Sequence, residues 1–270
     1  MSDEKNFLMI GLPNAGKTTY LAAFWAIEKD GNTGHKLSCY KYPDDISYLE
    51  AIKEKWLNQE QVNRTVSGTP QEVKLPLVEN DSGKRMIFNI PDFKGELFQA
   101  IIESNETESV KEWVKNSEGF LFFIENTTEL PYQEEVGSVT EGDNTPKQLT
   151  IENMSPWTKN IVLLKYLSQR KLKDIPLAIC FSAWDSIETE MSVEDWVKTE
   201  HKFFYNFVKY HFSNVKYFGI SAQGREYTKE DSEEIIEQCQ KLTEEKKRAF
   251  IFTDEKTTDL TEPIDFLINN

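Results

Sequence analysis

Five short, mainly apolar runs stand out along the chain: Asn6–Ile10, Arg85–Ile90, Gly119–Ile124, Ile175–Ser182 and Val215–Ile220. Runs of this length bounded by Gly, Pro or polar residues read as strands buried on both faces, as in a parallel sheet. A looser alternation over Glu72–Val78 predicts a sixth strand, paired with Arg85–Ile90 across the turn Asn80-Asp81-Ser82-Gly83. Between these runs the pattern changes to helical spacing. Helices are predicted from Lys17 to about Lys29, and over Asp44–Asn58, where Ile46, Leu49, Ile52, Trp56 and Leu57 share a face. Others are predicted from Asp92 to Asn116, over Trp157–Arg170, from about Val193 to His211, and near Ser232–Lys247 before the last apolar segment, Pro263–Ile268.

Strands alternating with helices predict an α/β fold, a three-layer sandwich with a mostly parallel six-stranded sheet, one strand antiparallel, and ligands at the carboxyl ends of the strands. The length of 270 residues suits one such unit, since single cores stop growing near ~250 to 300 residues. One domain over 1–270 is therefore expected, with a polar insertion about 30–70, a surface insertion about 126–150 lacking periodicity, and a helical segment about 230–270.

Composition narrows the function. Hydrophobic residues make up 39 % and aromatics 12 %, enough to build a core. The net charge of −15 argues against nucleic acid or an anionic membrane surface as a partner, because both need clustered Lys and Arg. Cys39, Cys180 and Cys239 have no CxxC spacing, which excludes a disulfide framework or zinc site as the organising principle. His35, His201 and His211 lack ligand spacing, and the group Phe203, Phe204, Phe207 and Phe212 reads as helix core. With no apolar window long enough to span a bilayer and a polar start, MSDEKN, a cytoplasmic protein is expected.

The chemistry concentrates in GLPNAGKT, Gly11–Thr18, which fits G-x-x-x-x-G-K-[ST] after an apolar strand and at the head of a helix. Such a loop curls so that its backbone N–H groups face phosphates, aided by the positive end of the helix dipole. Gly11, Asn14, Ala15, Gly16, Lys17, Thr18 and Thr19 form this candidate nucleoside-triphosphate site. Lys17 would reach the β and γ phosphates and the Thr18 hydroxyl would bind Mg²⁺. The second motif is IPDFKGE, Ile90–Glu96. Its Asp92 falls at the tip of the strand expected beside the loop, where a carboxylate can hold Mg²⁺ through water, and Gly95 can offer its N–H to the γ phosphate. Thr65 and Thr69 both stand where a γ-phosphate sensor would lie, ahead of the first hairpin.

These motifs, with Ser182-Ala183-Trp184-Asp185 after one strand and Ser221-Ala222-Gln223 after the next, resemble the TRAFAC class of P-loop GTPases in family order. GLPNAGKTTYLAAFW and the ending TDLTEPIDFLIN are similar to the bacterial double-GTPase domains known from predicted conflict or anti-phage systems. The resemblance implies a Ras-like fold and GTP with Mg²⁺ as ligands. By it, Asp185 accepts hydrogen bonds from guanine and the Ala222 N–H bonds to O6, with Ser182 and Ser221 completing the base site. Ser182 departs from the family's Asn or Thr, and Ala183 from its Lys.

The resemblance further implies Thr65 as the sensor, because the family tends to carry Arg-Thr there, with Arg64 as an arginine finger in cis. Glu96 stands where Ras-like proteins carry the Gln that orients water; a carboxylate beside a γ phosphate is repelled, so slow intrinsic hydrolysis is expected. Asn14 in GLPN resembles the residue that helps hold K⁺ in Era-like GTPases, making K⁺ a further candidate cofactor. The expected function is a GTP/GDP switch acting on a partner protein, a defence effector or a second copy of the chain. An ATPase and a nucleotide-bound scaffold that does not cycle are the alternatives.

Overall fold

The computed structural model describes residues 5–28, 34–60, 62, 72–91, 101, 108–126, 154–226 and 233–270. In chain order its elements are β1 (Lys5–Gly11), α1 (Lys17–Glu28), β2 (Leu37–Cys39), α2 (Ser47–Leu57), β3 (Glu72–Glu79), β4 (Arg85–Pro91), α3 (Glu108–Asn116), β5 (Gly119–Glu125) and α4 (Pro156–Ser168). There follow β6 (Leu177–Ser182), α5 (Val193–Glu200), α6 (Lys202–His211), β7 (Val215–Ser221), α7 (Glu233–Glu244), β8 (Phe250–Phe252), β9 (Lys256–Thr257) and α8 (Glu262–Ile268).

The strands form one sheet in the order β2-β3-β4-β1-β5-β6-β7-β8-β9. At its centre β4, β1, β5, β6 and β7 run parallel, with Phe7 opposite Phe88 on one side and Gly119 on the other. Both margins are antiparallel: β2 and β3 at one, β8 and β9 at the other. The six expected strands are all present. The expectation of six strands with a single antiparallel one is corrected to nine among the described residues, with two antiparallel margins. The additional strands are only two or three residues long, too short to carry a period of 2 in the sequence.

Burial on both faces explains the apolar runs of β1, β5 and β6, whereas β4 buries only Met86, Phe88 and Ile90, on one face. Along β1, Phe7 and Met9 join one core with α1, α2 and α8, while Leu8 and Ile10 join the other with α3, α4, α5 and α6. This gives the expected three layers. Local signals set the helix starts: the Ser155 hydroxyl accepts from the Thr158 N–H with Pro156 at the first helical position, and Ser192 accepts from the Asp195 N–H.

The helix expected over Val193–His211 breaks at His201, whose φ of −125° and ψ of 47° end α5 before α6 begins. The four phenylalanines of this stretch also divide. Phe204 and Phe212 are buried, whereas Phe203 is 71 % exposed, because helical spacing turns it away from the inward row of Phe204 and Val208. Among the described residues no helix is long and apolar enough to cross a membrane.

Candidate functional site

β1 delivers the chain into the loop Leu12–Gly16, and α1 starts at once with Lys17. The loop glycines are required by close approach. Gly11 lies against β5, where an added Cβ would come 2.4 Å from the Phe123 carbonyl oxygen. Gly16, with φ of +83°, lies against the end of β6, where a Cβ would come 2.6 Å from the Ser182 Cβ. Asn14 also has a left-handed backbone, with φ of 64°, and its side chain is exposed at the loop tip, while Ala15 is buried beneath it. The Lys17 ammonium bends back over the loop and donates to the carbonyls of Gly11 at 2.8 Å and Leu12 at 2.7 Å. Thr18 and Thr19 sit half-buried in the first turn of α1. A Lys head, a hydroxyl and the amide groups of a helix start therefore meet at one end of β1, a donor set that fits a polyphosphate and its cation.

The next two motifs arrive from β6 and β7. Ser182 closes β6 and packs on the phosphate loop through Gly16. Ala183 then adopts a left-handed conformation, φ 53° and ψ 40°, which costs an L-residue about 1–2 kcal/mol, and the chain enters a single 3₁₀ turn over Trp184–Ser186. Trp184 holds that strained turn in place. It is 4 % exposed, lies edge-on to Trp196 at 5.2 Å and stacks on Phe252 at 6.0 Å. A Cβ at Gly219 would come 2.2 Å from the Trp184 ring, so β7 needs Gly there to admit the indole. With Trp184 pointing inward, Asp185 meets the end of β7: the Ser221 hydroxyl donates to Asp185 Oδ1 at 2.5 Å and accepts from the Gly224 N–H at 3.0 Å.

Two chain segments 36 residues apart thus place a carboxylate, a hydroxyl and a backbone loop together, beside the phosphate loop. The Double-GTPase 1 family model matches residues 8–267, nearly the whole chain. The chain belongs to the Double-GTPase 1 family. Among curated proteins none matches it. Membership indicates guanine-nucleotide binding.

Within this double-GTPase fold the structure brings together Gly11, Asn14, Ala15, Gly16, Lys17, Thr18, Thr19, Ser182, Asp185, Ser221 and Ala222 at the carboxyl ends of β1, β6 and β7. Arg64, Thr65, Thr69, Asp92, Gly95 and Glu96, and nearly all of the surface insertion about 126–150, lie outside the described residues. The residue that motif reading missed is Trp184. A large aromatic inside an otherwise polar base motif was the signal for a core anchor, but its slot depends on Gly219, distant in sequence. Cys180, buried in β6, has its thiol pushed well up by burial, as befits a small core residue.

Proposed function

We propose that the chain is a GTP-binding, slowly hydrolysing switch that uses Mg²⁺ and controls a partner protein in bacterial antiviral defence. The observation that carries the nucleotide reading is the Asp185–Ser221 hydrogen bond, made beside a phosphate loop that touches the same strand end through Ser182. A carboxylate paired to a neighbouring hydroxyl is held in one orientation, and a fixed acceptor discriminates between guanine, which presents donors on that edge, and adenine, which leaves the carboxylate unsatisfied. Lys17 would hold the β and γ phosphates and the Thr18 hydroxyl the Mg²⁺, which supplies charge neutralisation when bound. Asp92 and Thr65 are the remaining candidates for the cation, Gly95 for the γ phosphate, and Asn14 for K⁺.

Glu96 supports slow hydrolysis, since a carboxylate next to the γ phosphate raises the charge that the site has to neutralise. Arg64 would offset it as a finger in cis. The defence setting and the partner rest on the resemblance to double-GTPase domains of conflict systems.

Calorimetric titration with a non-hydrolysable GTP analogue, then with its ATP counterpart, both with Mg²⁺, tests this reading. Wild type is expected to bind the GTP analogue; Lys17→Ala should lose binding, and Asp185→Ala should lose preference for guanine. Unchanged guanine preference in Asp185→Ala would remove the base-site assignment. Multiple-turnover phosphate release then separates a cycling switch from a nucleotide-bound scaffold.

A further inference from the structure

The loop after β7 is held from behind by two side chains that belong to none of the nucleotide motifs. At the end of α2 the Trp56 indole N–H donates to the Ala222 carbonyl at 2.8 Å. Arg248, just ahead of β8, donates from Nε to the Gln223 carbonyl at 3.1 Å and from Nη1 to the Trp56 carbonyl at 2.7 Å. Its guanidinium carbon lies 4.0 Å above the Trp56 ring. Both side chains are 2 % exposed. The loop backs directly onto Arg248, because a Cβ at Gly224 would come 2.5 Å from the Arg248 carbonyl oxygen.

Burying a guanidinium is expensive, and plain apolar packing would hold a surface loop at less cost. The planar fork does what apolar packing cannot: it fixes carbonyl groups in direction as well as position. Here the successive carbonyls of Ala222 and Gln223 are each claimed by a donor from the α2 side, while Ser221 claims the Gly224 N–H from the other. Peptide planes pinned in this way cannot rotate. The Ala222 N–H lies in the preceding peptide plane, joined to the pinned one at the Ala222 Cα, so fixing the Ala222 carbonyl restricts its movement relative to the Asp185 carboxylate, which is bonded to Ser221.

We propose that Trp56 and Arg248 are positioning residues for base specificity: without contacting the nucleotide, they lock the Ala222–Gln223 main chain in the orientation that favours guanine over adenine. The proposal rests on the assignment of Asp185 and Ala222 to the base site.

The test uses the full chain with three probes, a non-hydrolysable GTP analogue, its ATP counterpart and inorganic tripolyphosphate, titrated into wild type, Trp56→Phe and Arg248→Lys. Thermal melting confirms that each variant is folded, and Trp56→Phe, which keeps a buried aromatic ring while removing the indole donor and part of the ring volume, carries the test if the arginine variant is not. Trp56→Phe is expected to weaken the GTP analogue about five- to tenfold, the worth of one hydrogen bond, while affinity for tripolyphosphate and the ATP analogue stays as in wild type. Equal losses for all three probes would make the pair a merely structural support and overturn the proposal, as would an unchanged GTP affinity in a wild-type-selective background. A wild type without guanine preference would overturn the base-site assignment and this proposal with it.

Discussion

At the residue scale, the molecule spends its aromatic side chains on fixing polar ones. Trp184 fills the space over Gly219 so that Asp185 turns toward Ser221, and Trp157 and Trp196 enclose His201 at ring distances of 4.0 and 4.7 Å. Burial between these indoles lowers His201 to about 4, and its Nδ1 has no hydrogen-bond partner among the described residues. Because the folded value lies below the ordinary one of about 6.5, the imidazole is neutral in both states above that pH and contributes no pH dependence there. As pH falls from 6.5 towards 4 the unfolded chain takes up a proton that the folded chain refuses, so stability is lost across that window. Urea midpoints measured at pH 7.5 and pH 5 should therefore differ less in His201→Phe, which keeps a ring between the tryptophans, than in wild type. An equal acid-induced drop in both would show that other groups account for it.

At the element scale, what could be read from the sequence depended on length and locality. The strands β1, β5 and β6 were legible because burial on both faces leaves a nearly unbroken apolar run, and the phosphate loop because all of its determinants fall within eight consecutive residues. β2, β8 and β9 were not, since two or three residues cannot display a period. Nor was the break at His201, which tertiary packing imposes on a continuous helical pattern. That Asp185 and Ser221 share a site followed only from resemblance, their hydrogen bond was not foreseen, and the Arg248–Trp56 contact, spanning 192 residues, leaves no local trace.

The same scale explains the C-terminal segment, expected from the sequence as a last apolar stretch, Pro263–Ile268. α8 lies in the core shared with α1, with Ile264 and Leu267 fully buried; the Tyr20 hydroxyl donates to the Leu260 carbonyl at 2.6 Å and Lys5 Nζ to the Ile268 carbonyl at 3.0 Å. Leu267→Ala is expected to cost about 2–5 kcal/mol in urea denaturation, the range for truncating a buried leucine. A loss under 1 kcal/mol would mean that this helix is peripheral to the core.

At the scale of the whole molecule, charge and site oppose each other. A chain of net charge −15 repels the polyanion that its phosphate loop is built to hold. Attraction by Lys17 acts at contact distance, whereas the repulsion acts over the Debye length of about 10 Å at 0.1 M salt and is screened as salt rises. Association of a fluorescent GTP analogue, followed by stopped flow, should therefore speed up about two- to threefold between 20 and 200 mM salt. Most anion sites slow down under the same change. Slowing here would mean that a local positive field around the loop overrides the net charge.

Helix α1 has one further consequence. Its nine residues from Tyr20 to Glu28 are all buried, so the helix that starts at Lys17 has no side facing water over most of its length. The sheet, α2 and α8 share the covering. A chain cut short before α8, or caught during synthesis before α8 has emerged, would present Leu21-Ala-Ala-Phe-Trp-Ala-Ile27 to the cell, the kind of apolar stretch that chaperones and proteases recognise. Exposure of α1 would thus mark a chain in which α8 has not docked, in the same helix whose first turn is proposed to hold the nucleotide phosphates.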